Sequence, residues 1–175
     1  ANMQPTLAQA TQYCAKLLKK PDQCRAVARS SFLFWNLHAD EPCRNAKRVL
    51  ECLQRSLKIA DACKMSDQHT ALFVEMLDVY LWHFEQARAP STSPQPQTRP
   101  TRAAHSSTRS VAQENSLVTS TYLNSLVQLV EQHLLDDGKR HSSAPQSVHF
   151  ANTLAYIRRR KEGGCELYND VQCSA

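Results

Sequence analysis

YCAKLLKKPDQCRAVARSSFLFW, spanning Tyr13 to Trp35, decides the fold, because it reads as a helix, a tight corner and a second helix. In the first limb Leu7, Ala10, Cys14, Leu17 and Leu18 recur at the three- and four-residue spacing of one helical face. Lys19 and Lys20 then fall in the last turn, where cations suit the negative end of the helix dipole. Pro21 cannot continue a helix interior but suits a first turn, so the chain is predicted to stop at Lys20 and restart at Pro21. The second limb carries Cys24, Val27, Ala28, Ser31, Phe34 and Trp35 on one side. Two amphipathic helices joined this closely pack antiparallel.

Outward from this corner, the same pattern continues. The polar connection His38 to Asn45, with Asp40 and Pro42 as start signals, leads to a third helix. That helix places Ala46, Val49, Leu50, Leu53, Leu57 and Ala60 on one face and ends near Met65. Ser66 or Asp67 caps a fourth helix with Phe73, Met76, Leu77, Tyr80 and Phe84 in register and Glu75, Asp78 and Glu85 outward. A fifth helix from Ser116 bears Tyr122, Leu123, Leu126, Val127, Val130 and Leu134, and Gly138 suits a left-handed cap at its end. The sixth follows Pro145, with Phe150, Leu154 and Ile157 inward and the Arg158 to Lys161 cluster in its last turn. Between them, residues 88–115 hold four prolines among Ser, Thr, Gln and Arg, too little apolar surface to offset ordering entropy, and read as a disordered insertion. Residues 162–175 read as an irregular tail.

With only three glycines in 175 residues and no alternating run of β-branched residues, the chain is all-α. Odd-numbered helices begin near 3, 45 and 116, and excising the insertion makes the step about 42 residues each time. That is the period of HEAT-like hairpins. The expected architecture is an α-solenoid of about three hairpins, two within 1–87 and the third within 116–161, whose repeats touch only their neighbours. Ala1 in place of an initiator Met, with helical pattern almost at once, suggests a fragment or processed chain preceded by further helices. The absence of a ~20-residue apolar run or a leader points to a soluble, non-secreted protein.

Seven cysteines, an odd count without a leader, read as reduced thiols, with Cys14, Cys24, Cys52 and Cys63 acting as small hydrophobes. No spacing suits zinc, and no Gly-rich phosphate loop, nucleophile elbow or apolar acidic pair is present, so no catalytic residue, metal or cofactor is expected. Glu131 with His133 and His83 with Glu85 are read as solvated surface. The net charge of +5 is uneven: Met65 to Ala87 and Ser110 to Gly138 contain no Lys or Arg. A nucleic-acid solenoid would carry its basic stripe through successive repeats, so nucleic acid is not the expected partner. An RNA-binding helical-repeat protein using the basic N-terminal half is the alternative. Leu33 and Trp82 lie about half a turn from the main core faces, where they pack on the next hairpin or, with Phe32 and Trp35, line a docking surface.

LLKKPDQCRAV, the LFW that follows it, KRVLECLQRSLKIADAC, FVEMLDVY and HFANTLAYIRRRKE together resemble the C-terminal end of the vacuolar protein sorting-associated protein 35 family, the large subunits of retromer. The resemblance covers most of residues 7–162 apart from the insertion. It implies a non-catalytic scaffold on the cytosolic face of endosomes that recycles transmembrane cargo to the Golgi or plasma membrane. It further implies binding of the small phosphoesterase-fold subunit, vacuolar protein sorting-associated protein 29, pairing with a second large subunit, and contact with other coat components through an N-terminal part. On that resemblance Lys16, Lys19, Lys20 and Lys58 are candidate self-association residues, and Phe32, Leu33, Trp35, Tyr80 and Trp82 candidate contacts to the small subunit. The chain departs from the family pattern in a shorter loop at 38–45, a longer insertion at 88–115 and a Cys-containing tail.

Overall fold

The computed structural model describes residues 4–36, 43–86, 118–138 and 144–173. Within them the helices are α1 (Gln4–Cys14), α2 (Lys20–Ser30), α3 (Ala46–Asp61), α4 (His69–Gln86), α5 (Ser120–Gly138) and α6 (Pro145–Glu162). The all-α class holds, and α1, α3 and α5 start close to the positions set by the repeat. A departure is the short antiparallel pair β1 (Trp35–Asn36) with β2 (Cys43–Arg44), in which Trp35 faces Arg44. Trp35 therefore leaves the second helix, which gives way to a 3-10 turn over Ser31–Phe34. The insertion at 88–115 lies outside the described residues, as do Asp40 and Pro42.

The corner around Pro21 differs from the expectation in a specific way. α1 ends at Cys14, and its closing hydrogen bonds shorten from a four-residue to a three-residue step, Lys16 N to Tyr13 O at 3.0 Å and Leu17 N to Cys14 O at 3.4 Å. Gln23, buried on α2, donates from its amide to the Ala15 carbonyl and accepts from Lys20 Nζ at 3.1 Å. Lys19 is extended (φ −81°, ψ 120°) as the residue that opens α2, with proline in the first turn. Lys19 and Lys20 thus do not sit in the last turn of α1, and Leu17 and Leu18 belong to the exposed corner instead of the core face. α1 therefore stops at Cys14, six residues before Lys20, and the buried Gln23 amide caps the carbonyl of Ala15 just past its end.

α3 is capped by Asn45, whose side chain accepts from Arg48 N at 3.1 Å. α2 and α3 run antiparallel, with Cys24 Sγ directed at Ser56 O (3.3 Å) and Ser30 Oγ at Cys52 Sγ (3.7 Å). In the next turn Ser66 Oγ accepts from Gln68 N at 3.2 Å, which shapes the approach to α4 without capping it. α4 is the central helix: Leu72, Phe73, Val74, Met76, Leu77, Tyr80, Leu81 and Phe84 are all buried. It meets α2 and α3 on one side and α5 and α6 on the other. Leu123, Leu126, Val127 and Val130 of α5 and Phe150, Leu154 and Ile157 of α6 close the core as expected, whereas Tyr122 is exposed. His133 of α5 is not simply solvated surface: its ring stacks on Phe73 at 4.8 Å.

The acidic residues of α4 are not a solvated stripe. Glu75 takes a two-point grip from Arg25 of α2 at 2.7 and 2.8 Å. Asp78 accepts from Thr153 Oγ1 at 2.8 Å and lies 2.6 Å from His149 Nε2, both on α6. Glu85 holds the far end of α6 and the segment after it. Each of these carboxylates joins two hairpins while the apolar positions fill the middle. Residues 163–173 contain no further α-helix, but fold back through a 3-10 turn at Glu166–Tyr168 that buries Tyr168 and Val171.

Candidate functional site

The antiparallel α2–α3 pairing and the α3–α4 turn bring two corners, residues 15–19 and 62–68, to one end of the stack. Lys16, Lys19 and Lys20 project there from the first corner, and Lys58 sits in the last turn of α3 at the same end; all four are exposed. Lys20 Nζ donates to Gln23, and Lys16 Nζ lies 5.8 Å from the centre of the Tyr13 ring. Leu18 is 98 % exposed and Met65 101 %, with Tyr13 also largely in solvent. Asp61 pairs with Lys64 at 3.3 Å beside them. Sequence pattern locates the lysines but puts Leu18 on the core face; the earlier end of α1 is what releases it.

The aromatic candidates separate into two groups. Tyr80 is 1 % exposed and Trp35 6 %, so both are core side chains, and burial holds the Tyr80 phenol well above its ordinary pKa. Phe32 and Trp82 are half-buried and meet edge to face at 4.7 Å, and Leu33 beside them is 42 % exposed. Of the five, Phe32, Leu33 and Trp82 are the ones with surface to offer a partner.

Beneath that group lies His83, which helical spacing places in solvent and which is instead buried. Its ring stacks on Phe32 at 5.1 Å and meets Trp82 at 4.8 Å. Ser31 Oγ donates to Ala28 O at 2.6 Å and lies 2.8 Å from His83 Nε2. With its one proton on the carbonyl, the hydroxyl accepts from Nε2–H, which selects that tautomer. Burial pushes the His83 pKa down to about 4, so the ring is neutral at physiological pH. Both groups are enclosed by apolar side chains, and the pair fixes the start of the 3-10 turn.

Cys24, Cys52 and Cys63 are buried free thiols. Burial pushes Cys24 up to about 12 and raises Cys52 and Cys63, so they remain protonated and pack as small apolar groups. Among the described residues no group of three or more His, Cys, Asp or Glu side chains is placed to hold a metal ion. No helix within them is long and apolar enough to cross a membrane. The Arg158 to Lys161 cluster is occupied internally in part: Arg160 Nε lies 3.4 Å from Glu85 and Lys161 Nζ donates to Val171 O at 2.8 Å.

A family model described as vacuolar protein sorting-associated protein 35 matches residues 1–133. Vacuolar protein sorting-associated protein 35B of Arabidopsis thaliana is 32 % identical over 164 residues, 89 % of this chain and 17 % of that protein. Its relative 35C from the same plant is 35 % identical over 179 residues, 93 % of this chain and 18 % of that protein. Vacuolar protein sorting-associated protein 35 of Schizosaccharomyces pombe is 47 % identical over 79 residues, covering 43 % of this chain and 9 % of its own length. The chain spans less than a fifth of the length of these curated relatives.

Proposed function

The chain belongs to the vacuolar protein sorting-associated protein 35 family, and on that premise we propose that it serves as a non-catalytic scaffold within a retromer large subunit. The observation that carries this reading is the family match running from α1 through most of α5, over an all-helical stack. The scaffold holds the small phosphoesterase-fold subunit, vacuolar protein sorting-associated protein 29. It also pairs with a second large subunit, and reaches other coat components through sequence outside this chain. It acts on the cytosolic face of endosomes in the recycling of transmembrane cargo to the Golgi or plasma membrane. Lys16, Lys19, Lys20 and Lys58 serve self-association, supported by their exposure at one end of the stack. Phe32, Leu33 and Trp82 serve the small subunit, supported by their half-exposed cluster, while Trp35 and Tyr80 are buried in the core. Residues 88–115 join the second hairpin to the third as an insertion.

Size-exclusion chromatography of the chain mixed with the small subunit tests the reading. A co-eluting complex is expected, lost on Leu33→Asp with Trp82→Ala and retained on reversing Lys16, Lys19 and Lys20 to Glu. The lysine reversal is expected to lower the self-associated mass; an unchanged mass rejects the assignment of those lysines. No complex at all, with salt-dependent binding to generic RNA instead, would transfer the weight to the RNA-binding alternative.

A further inference from the structure

The segment after α6 is seated as a ligand would be. α6 ends in a pair of glycines: the amides of Gly163, Gly164 and Cys165 bond to the carbonyls of Arg159, Lys161 and Arg160 at 2.9, 2.9 and 3.1 Å. Gly164 takes the left-handed conformation (φ +75°) that an L side chain rarely adopts, and this reverses the chain onto the ends of α4, α5 and α6.

Beyond the glycines, Cys165, Leu167 and Cys173 are half-buried against the core on either side of two fully buried positions. Tyr168 and Val171 are completely buried, while Asn169, Asp170 and Gln172 are exposed. The Tyr168 ring meets Phe84 edge to face at 5.7 Å, and its hydroxyl donates to Glu85 Oε1 at 2.6 Å. That same oxygen accepts from Tyr156 OH at 2.7 Å, so the carboxylate is organised for a phenol donor. Burial and the neighbouring carboxylate raise the Tyr168 phenol above its ordinary pKa, which keeps it a donor. The backbone of residues 170–172 is held without regard to side chain. Asn124 of α5 donates to Asp170 O at 2.9 Å and accepts from Gln172 N at 2.8 Å. Lys161 Nζ donates to the Val171 carbonyl at 2.8 Å. An aromatic-hydroxyl pocket, an aliphatic pocket three residues on and a two-point backbone clamp are the parts of a short-peptide receptor.

We propose that this groove, built from the last turns of α4 and α6 and the first turns of α5, binds a peptide bearing a tyrosine followed three residues later by an aliphatic side chain, and that residues 168–171, Tyr-Asn-Asp-Val, occupy it in cis. A segment of another protein with that pattern enters when the tail leaves. Because the tail is tethered by two glycines, its effective concentration is on the order of millimolar, and a free peptide competes poorly until the tail is displaced. The site is therefore self-occupied by default. It stands apart from the lysine end of the stack and does not rest on the self-association reading.

The test uses the full chain and a fluorescein-labelled peptide of residues 165–173 with serine at both cysteine positions. The chain carrying Tyr168→Ala and Val171→Ala is expected to bind the peptide, as read by anisotropy, at least about ten-fold more tightly than the intact chain. Adding Asn124→Ala to that variant removes at least about ten-fold of the affinity, since the backbone clamp is lost. A peptide with alanine in place of both the tyrosine and the valine does not compete. Equal binding by intact and substituted chains, or no binding by a substituted chain whose helical circular dichroism is intact, overturns the proposal. If the substituted chain does not fold, a protease site introduced after Gly164 in the otherwise intact sequence supplies the readout. The cleaved tail is then expected to stay bound and to be displaced by the Tyr-x-x-Val peptide alone; displacement by neither peptide, or by both equally, overturns it.

Discussion

The two ends of the helical stack treat their side chains in opposite ways. At the end formed by the corners at 15–19 and 62–68, Leu18 and Met65 stand in solvent among lysines. At the other end His83, Ser31 and Tyr168 are enclosed, and Glu85 is shared by three donors. The difference follows from where the polar groups of the turns find partners. At the first corner the Gln23 amide satisfies the backbone early, which lets the remaining residues project. At the far end the chain returns after α6 and supplies the partners itself. One end leaves apolar side chains in solvent, whereas at the other the tail covers Phe84 and Glu85 and leaves Phe32, Leu33 and Trp82 as its exposed group.

Removing what occupies the closed end should produce the largest effect. Tyr168→Ala deletes a fully buried ring and is expected to cost about 3–5 kcal/mol, the range for losing a buried aromatic. Tyr168→Phe keeps the ring and loses the bond to Glu85, for about 1.5–3 kcal/mol, the range for a hydrogen bond to a charged group. Urea denaturation measures both, and equal costs for the two would mean that the hydroxyl alone carries the contact.

Acid probes the same end through His83. Its folded pKa is pushed from the ordinary 6.5 down to about 4, so below 6.5 the unfolded chain takes up a proton that the folded chain refuses. Stability from this group is complete above pH 6.5 and is lost as pH falls toward 4, by up to about 3 kcal/mol at roughly 1.36 kcal/mol per unit. His83→Gln should flatten that part of the pH profile measured by denaturation. A slope unchanged by the substitution would place the acid sensitivity elsewhere.

The open end should be nearly silent in stability. Leu18→Ser and Met65→Ser each remove a side chain that touches little, and changes within about 0.5 kcal/mol are expected. A loss above 2 kcal/mol for either would mean that the corner is packed, and the contrast between the ends would fail.

How legible these features are depends on the range of the interaction that sets them. The core faces of α3, α4 and α5 are readable because burial repeats every three or four residues: Val49, Leu53, Phe73, Leu77, Leu123 and Val130 all lie inside. The repeat period likewise locates the starts of α1 and α3. Periodicity cannot foresee the early end of α1, because it depends on one buried amide, Gln23, eight residues past the carbonyl it caps. Nor can it distinguish a solvated acidic stripe on α4 from one gripped by Arg25, His149 and Tyr168, whose positions are set by tertiary contacts. His83 obeys the same rule: Glu85 is its neighbour in sequence, two residues on, while its partner is Ser31 on another hairpin. Gly138 is the glycine that spacing favours for a left-handed cap, and Gly164 is the one among the described residues that takes that conformation.

The scaffold reading is tested most directly by affinity purification of the whole protein from its native cells at physiological salt, with every co-purifying chain identified by mass. The account predicts the small phosphoesterase-fold subunit in stable association, together with an untagged second copy of the large subunit, both resistant to nuclease. Recovery of the large subunit without the small one, or with nuclease-sensitive partners alone, would contradict it.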